Sequence, residues 1–195
     1  MLSKSEILTL LRKPLLSERL IITPLLEDSQ IGPNSVDLRL GFSFLVARPA
    51  NIPSIDPMTG SNPVREKYQE RVAMSRGRTL FLHPGEFVLG ASLEYLYLPN
   101  LTGAYVTSRS SWGRAGLVIA TATAVAPGFR GVITFELANI GTAPIALRPG
   151  MKIAQIIFHS TGEKCSYDGR YRCPTSPEPG KLHMDRDLDF WKESN

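Results

Sequence analysis

The chain has 195 residues, of which 43% are hydrophobic and 21% charged, a composition typical of one globular domain with a substantial core. The formal net charge is +4, and the basic residues are scattered; this favours a small anionic ligand over a nucleic-acid track, although folding could still assemble a basic patch. No apolar run is long enough to span a membrane, and the first residues lack the apolar region of a signal peptide, so we expect a cytoplasmic protein.

One short helix is predicted at the start of the chain. Ser3 and Glu6 have the Ser-x-x-Glu spacing of a capping box, in which the two residues satisfy each other's backbone N–H groups at a helix N-terminus. Apolar residues at helical spacing follow between residues 7 and 11. The rest of the chain lacks helical spacing.

Beyond Leu20 the sequence has the pattern of short strands joined by turns. Apolar or alternating runs are cut by Pro, Gly and Asn. Eleven such runs predict an all-β fold, which is a sandwich, a jelly roll or a barrel. The predicted strands cover residues 20–23, 35–40, 42–46, 79–82, 87–90, 95–98, 104–107, 117–120, 132–135, 145–147 and 153–158.

Several segments carry turn or loop chemistry instead. Residues 49–77 are polar and predict a long surface loop. Pro84-Gly85 and Pro149-Gly150 each predict a hairpin turn of type II. From Thr161 onward the chain is rich in Tyr, Arg and Pro, so we expect a tail that is either a mobile lid or disordered. We therefore divide the chain into a β domain with its N-terminal helix (1–160) and a C-terminal tail (161–195). The tail carries Cys165 and Cys173, which we expect to be reduced.

The most informative polar side chains follow the strand at 104–107. Arg109, Ser110, Ser111 and Arg114 offer donors that suit phosphate oxygens, although a Ser-Ser pair beside arginines is also common at ordinary turns. Glu136 lies in an otherwise apolar strand and points either to a pocket or to solvent. The residues alone leave both questions open.

The order of the motifs resembles the deoxycytidine triphosphate deaminase branch of the trimeric dUTPase-like superfamily. The resemblance covers most of the chain, and its motifs are specific together although each is weak alone. It implies a dUTPase-like distorted jelly roll or β-barrel, a homotrimer, and active sites between subunits. The motifs are the opening helix and residues 31–41, 82–90, 108–114, 127–131 and 147–154.

The resemblance also implies roles for individual residues. Glu136 would be the general base, and Ser110 and Arg114 would orient the attacking water and the pyrimidine. Arg109, Ser110 and Ser111 would cradle the phosphates. The remaining substrate-binding positions that it implies are Ala126, Thr134, Phe135, Tyr167 and Arg170.

We expect this chemistry to need no zinc. A carboxylate shielded from water has a raised pKa and can shuttle protons near neutral pH. The His-x-Glu and Pro-Cys-x-x-Cys motifs of zinc deaminases are absent from the sequence. No residue is assigned to a metal, and Mg²⁺ is expected only as a companion of a bound triphosphate.

Two positions depart from the family pattern. Ala126 stands where the family has an Asp that contacts the sugar and, in pyrophosphatases, positions water. Pro174 stands near the place of a base-reading Gln. The leading hypothesis is deamination of dCTP, or a close relative, to the uracil nucleotide. The alternatives are a catalytically silent nucleotide-binding or regulatory protein and, least favoured, a dUTP pyrophosphatase.

Structural roles are expected for three further residues. Asp37 and Arg39 lie two positions apart in one predicted strand, where they could form an ion pair. Trp112 lies inside the serine and arginine motif, and we expect it to pack on a neighbouring chain rather than on the ligand.

Overall fold

The fold is built almost entirely from β-strands. The computed structural model describes residues 1–48, 54–56, 68–120 and 123–184. No helix within these ranges has the length and apolarity needed to cross a bilayer. The helices are α1 (Lys4–Leu11) and α2 (Ser110–Arg114), with short 3-10 helices at Leu16–Glu18, Asp28–Gln30 and Leu182–Met184. The strands are β1 (Ile21–Thr23), β2 (Val36–Ala47), β3 (Gln69–Ala73), β4 (Leu80–Leu82), β5 (Phe87–Tyr97), β6 (Thr102–Ser108), β7 (Leu117–Ile119), β8 (Ala124–Val125), β9 (Arg130–Asn139), β10 (Ile145–Leu147) and β11 (Lys152–Ser160).

Nine of these strands form one antiparallel sheet. Its order is β7-β9-β5-β2-β11-β6-β8, with β1 paired to β5 and β3 paired to β2. Strands β4 and β10 form a separate two-stranded sheet. The prediction of an all-β fold is confirmed, and the long strands β2, β5, β9 and β11 supply about half of the buried apolar side chains in the core.

Two pairs of predicted strands are single strands in the structure. Residues 35–40 and 42–46 join as β2, and residues 87–90 and 95–98 join as β5. Gly41 lies within β2 because the neighbouring backbone is close: a Cβ at this position would lie 3.0 Å from the Ala91 carbonyl oxygen. The glycine therefore allows a close approach within the sheet rather than ending the strand.

A β-bulge explains the apparent gap in β5. The pairing of β5 with β9 shifts register across residues 92–94 of β5, and the pairing of β5 with β2 shifts between Leu40 and Phe44. Backbone groups at these shifts lose their ladder partners. Side chains replace them: the Ile133 amide donates to Ser92 Oγ at 2.8 Å, and the Arg39 amide donates to Glu94 Oε2 at 2.8 Å. Gln30 Nε2 donates to Glu94 Oε1 at 2.9 Å. Glu94 is fully buried, and this burial raises the pKa of its carboxyl group.

Some elements were not predicted. Strand β3 lies inside the predicted loop 49–77, so that prediction is wrong for Gln69–Ala73, which pairs with β2. Residues 49–53 and 57–67 lie outside the described part of the chain. Helix α2 is five residues long and β8 only two, and elements this short have no periodicity to detect.

The two Pro-Gly segments form turns but not hairpins. Gly85 and Gly150 have φ of +80° and +90°, as a type II turn requires at its third position. The strands that flank each turn do not pair, because β4 and β10 pair with each other while β5 and β11 enter the large sheet. The hairpin prediction is therefore wrong. Each Pro-Gly turn instead connects a strand of the small sheet to a strand of the large sheet.

Helix α1 is capped as predicted. The Ser3 amide donates to Glu6 Oε2 at 2.8 Å, and the Glu6 amide donates to Ser3 Oγ at 3.4 Å. The Leu2 amide donates to the Phe158 carbonyl at 2.8 Å, which ties the start of the helix to β11. Ile7 is fully buried, so the helix covers one end of the core.

The described part of the tail lies against β9. The Val132 amide donates to the Pro174 carbonyl at 2.8 Å, and the Glu178 amide donates to Thr134 Oγ1 at 3.2 Å. Pro174, Pro177 and Pro179 are buried. Proline has a restricted backbone, so this docking costs less conformational entropy than it would for a flexible segment.

Gly131 is the position where the tail and β9 come closest. Its φ is +137°, and a Cβ there would lie 2.3 Å from Pro174 Cδ. We expect Gly131→Ala to displace the tail and to lower the free energy of unfolding by roughly 1–3 kcal/mol. Limited proteolysis and urea unfolding measure these effects. Gly180→Ala is the matched control because a Cβ there would have no neighbour within 4 Å; equal protection of the tail in both variants would contradict the prediction.

Candidate active site

A cavity of about 500 Å³ lies between β9, β5 and the tail. Most of its lining side chains are apolar. They lower the local dielectric constant, and this strengthens electrostatic interactions inside the cavity. The lining residues are Ile55, Tyr68, Gln69, Phe87, Leu89, Ala124, Val125, Ala126, Phe129, Val132, Ile133, Thr134, Glu136, Tyr167, Tyr171, Pro174, Glu178, Gly180 and Leu182.

Glu136 lies on the wall of this cavity because β9 alternates. Phe135 and Leu137 are fully buried in the core, and Thr134 and Glu136 therefore face the opposite side of the strand. Burial raises the pKa of Glu136 above its ordinary value of 4.5. No described side chain donates a hydrogen bond or an ion pair to this carboxylate. It is thus a partly buried carboxylate without a hydrogen-bond partner among the described side chains.

The serine and arginine motif lies elsewhere on the same chain. Arg109 is the N-cap residue of α2, and its amide donates to the Ile153 carbonyl at 3.0 Å. Ser110, Ser111 and Arg114 are exposed. None of these four residues lines the cavity that holds Glu136. Within one chain, the four residues predicted to bind phosphate or orient the substrate therefore lie outside the cavity of Glu136, the predicted base.

Trp112 fixes α2 to the sheet within the same chain. Its Nε1 donates to the Lys152 carbonyl at 2.9 Å, and its ring packs against the core. The expectation that Trp112 packs on a neighbouring chain missed this intramolecular contact. The hydrogen bond to β11 explains why an aromatic residue stands inside an otherwise polar motif.

Of the other predicted substrate-binding residues, some line the cavity and some do not. Ala126, Thr134 and Tyr167 line the cavity, and the ring of Tyr167 packs edge-on against Phe129 at 5.7 Å. Phe135 does not line it, because its side chain belongs to the core and leaves only its backbone near β5.

Arg170 also lies outside the cavity lining. Its Nη1 donates to the Lys181 carbonyl at 3.2 Å, and Lys181 Nζ donates to the Arg170 carbonyl at 3.0 Å. These two bonds close the tail into a loop over residues 170–181. Arg170 therefore shapes the tail in this structure.

Sequence reasoning missed several lining residues. Leu89 pairs directly with Glu136 across β5 and β9, which the strand pattern could have indicated only if the pairing were known. Tyr171 and Glu178 reach the cavity through the docking of the tail, for which the sequence has no periodic signal. Glu178 is paired with Lys181 at 3.0 Å, in contrast to the unpaired Glu136.

The expected pair between Asp37 and Arg39 is wrong. Arg39 pairs with Glu27, and Asp37 instead lies 3.5 Å from Arg109 Nε and 3.8 Å from Lys152 Nζ. The two residues share a strand, but the backbone at Arg39 is held by Glu94 next to the bulge, and this directs the two side chains to different partners.

The described residues contain no cluster of three or more His, Cys, Asp or Glu side chains that could hold a metal ion. Cys165 and Cys173 are exposed free thiols. Residues 121–122, which belong to the Thr-Ala motif before Ala126, lie outside the described part of the chain.

Comparison with known proteins gives a consistent picture. The family model described as dCTP deaminase-like matches residues 1–161. A dCTP deaminase of Coprothermobacter proteolyticus, described as dUMP-forming, is 42% identical over 93% of this chain and 96% of its own length. A dCTP deaminase of Haloarcula marismortui is 42% identical over 87% of this chain and 90% of its own.

The solved structures agree at the level of the fold. The crystal structure of 2'-deoxycytidine 5'-triphosphate deaminase from Agrobacterium tumefaciens superposes with a TM-score of 0.60 and 25% sequence identity. The match covers 80% of this chain and 47% of that chain. The family match spans the whole β domain, including the strand that carries Glu136 and the helix that follows Arg109. The chain therefore belongs to the dCTP deaminase-like family.

Proposed function

We propose that this protein is a zinc-independent deaminase that converts dCTP and water to dUTP and ammonia. The observation that carries the proposal is Glu136, a carboxylate with a raised pKa on the wall of a largely apolar cavity and without a partner among the described residues. Family membership and the names of the relatives from Coprothermobacter proteolyticus and Haloarcula marismortui support the deamination of dCTP. The substrate belongs to the nucleotide pool, so the cytoplasm is the expected location.

The proposed mechanism is general acid and base catalysis by one residue. The Glu136 carboxylate takes a proton from water as the water oxygen bonds to C4 of cytosine. As the bond between C4 and N3 becomes single, the carboxyl group passes this proton to N3, and the carboxylate then takes the hydroxyl proton of the tetrahedral intermediate. It gives that second proton to the amino group at C4; the C4 carbonyl forms, the carbon–nitrogen bond breaks, and ammonia leaves. Burial raises the pKa of Glu136, and a more basic carboxylate accepts a proton from water more readily. Ser110 and Arg114 orient the water and the ring.

The active site is proposed to form between subunits of a homotrimer. Glu136 lies in a cavity of one chain, and the donors at Arg109, Ser110, Ser111 and Arg114 lie outside it. A cyclic trimer places the same two surfaces against each other three times. Each site would then combine the cavity of one subunit with α2 of its neighbour.

Binding of the triphosphate needs no metal held by the protein alone. Arg109 and the hydroxyls of Ser110 and Ser111 would bind phosphate oxygens through charge-assisted hydrogen bonds. Mg²⁺ would enter with the triphosphate, coordinated mainly by phosphate oxygens and water. Thr134 and Tyr167 lie in the cavity beside Glu136 and would contact the nucleoside.

Replacement of Glu136 tests the proposed base. We expect Glu136→Gln to lower kcat for dCTP deamination by at least roughly 10²–10⁴-fold, because the amide cannot accept the proton from water. Ammonia release and uracil absorbance measure the rate. The matched control is Glu178→Gln, which changes a carboxylate on the same cavity that is already paired with Lys181; we expect a loss of less than about tenfold.

The pH dependence adds a second readout to this test. Since Glu136 must be ionised at the start of the reaction, kcat/KM in the wild type should rise with pH through its folded pKa, which lies above 4.5. The residual activity of Glu136→Gln should lack that acidic limb. An unchanged rate in Glu136→Gln, or an identical limb in both proteins, would contradict the assignment.

Mixing two inactive variants tests the shared site. Arg114→Gln and Glu136→Gln trimers, unfolded together at equal amounts and refolded, should regain about one quarter of wild-type activity, because about one quarter of the interfaces then combine two intact halves. Mixing without refolding is the control. If both residues acted within one chain, no activity would return.

The identity of the product tests the role of Ala126. The relative from Coprothermobacter proteolyticus is described as forming dUMP, whereas Ala126 offers no acceptor or charge to position water at the α-phosphate. We expect dUTP to accumulate and pyrophosphate to stay at background, as measured by ion-exchange chromatography. Stoichiometric pyrophosphate would contradict this proposal, and nucleotide binding without any product would favour a silent regulatory protein.

A further inference from the structure

We propose that Asp37 is a positioning residue that holds the Arg109 guanidinium ready for the substrate phosphates. This inference rests on the proposed function, because it assigns a role to a residue that supports the phosphate-binding motif. Asp37 itself lies on β2, and the motif follows β6, so the contact joins two strands on either side of β11.

The carboxylate of Asp37 is held from several directions. Gln155 lies opposite Asp37 in the pairing of β11 with β2, and its Nε2 donates to Asp37 Oδ1 at 3.1 Å. Gln155 also lies opposite Thr107 in the pairing of β11 with β6, two residues before Arg109. The Asp37 side chain is only 12% exposed. A largely buried carboxylate with a hydrogen bond from the neighbouring strand is therefore a rigid partner.

Within the described part of the chain, the one ion pair of the Arg109 side chain is to Asp37. Its Nε lies 3.5 Å from Asp37 Oδ1, and its side chain is 40% exposed. A guanidinium has five N–H donors, so this arrangement leaves the two Nη groups for a phosphate. The ion pair limits the rotamers of a long side chain before the ligand arrives, and this reduces the entropy lost on binding.

The charges around Asp37 determine whether removal of its carboxylate should tighten or weaken the binding of phosphate. Glu27 and Asp37 are the two anions of the cluster, and Arg39, Lys152 and Arg109 are its three cations. The cluster keeps one net positive charge, so it still attracts phosphate. If charge alone mattered, removal of the Asp37 carboxylate would tighten phosphate binding. If Asp37 positions Arg109, its removal weakens binding.

A double-mutant cycle separates these possibilities. In Asp37→Asn the side chain can still accept the hydrogen bond from Gln155, but it loses its charge toward Arg109. We expect KM for dCTP to rise about tenfold in Asp37→Asn, with kcat within about threefold of wild type. KM for dCMP should change less than about twofold. In an Arg109→Gln background, Asp37→Asn should have no further effect on KM.

The matched control is Glu27→Gln, which removes the other carboxylate of the cluster without a contact to Arg109. Its effect on KM should be the same in the presence and absence of Arg109. The proposal is overturned if Asp37→Asn lowers KM for dCTP, if dCTP and dCMP lose affinity equally, or if the effect is the same in the Arg109→Gln background.

A measurement on the wild-type protein covers the case in which Asp37→Asn unfolds. The Nε–H resonance of Arg109, assigned by its loss in Arg109→Lys, should have a restricted order parameter without ligand; a freely mobile signal would overturn the proposal. If the wild type does not deaminate, the proposed function fails. The same cycle is then read from calorimetric Kd values for dUTP and dUMP, with the outcomes that were stated for KM.

Discussion

The pairing of β5 with β9 is the constraint on which the candidate site depends. Leu89 lies opposite Glu136, and Gly90 lies opposite Phe135. Since successive side chains in a strand point to opposite faces, this register buries Phe135 and Leu137 and directs Glu136 into the cavity. A slip of one residue would place the carboxylate in the core and a phenylalanine in the site. The chemistry therefore relies on the same contacts that stabilise the sheet.

The separation of Arg114 from Glu136 within one chain affects the pKa of the Glu136 carboxyl group. If Arg114 lay beside Glu136 in the free subunit, the guanidinium would favour the ionised carboxylate and lower its pKa. Here the cavity of a single chain is largely apolar, and burial alone sets the direction of the shift at Glu136. In the proposed trimer, the guanidinium of Arg114 from the neighbouring subunit meets the carboxylate only on assembly. The pKa of Glu136 in the complete site is then a balance between burial, which raises it, and this positive charge, which lowers it.

The sequence predicts the strands better than their partners. The apolar runs identify nearly every long strand, because alternation and turn residues act locally. The fusion of two runs into β5 was not visible, since a bulge held by Ser92 and Glu94 looks like a break when only the chain order is known. The motifs placed Glu136 correctly on a strand. The tail at Tyr171 and Glu178 reaches the same cavity through long-range docking, which has no local pattern.

At the bulge near Glu94, one hydrogen bond of the sheet depends on a side chain that can gain or lose a proton. A side-chain carboxyl group stands in for a missing backbone acceptor and takes the Arg39 amide. Burial raises its pKa above 4.5, so between 4.5 and the folded value the native chain holds a proton that the unfolded chain has lost. The contribution of this group to stability is full below pH 4.5 and declines as the pH rises through its folded pKa. A rise in pH through this range therefore lowers the free energy of unfolding through a group at the bulge.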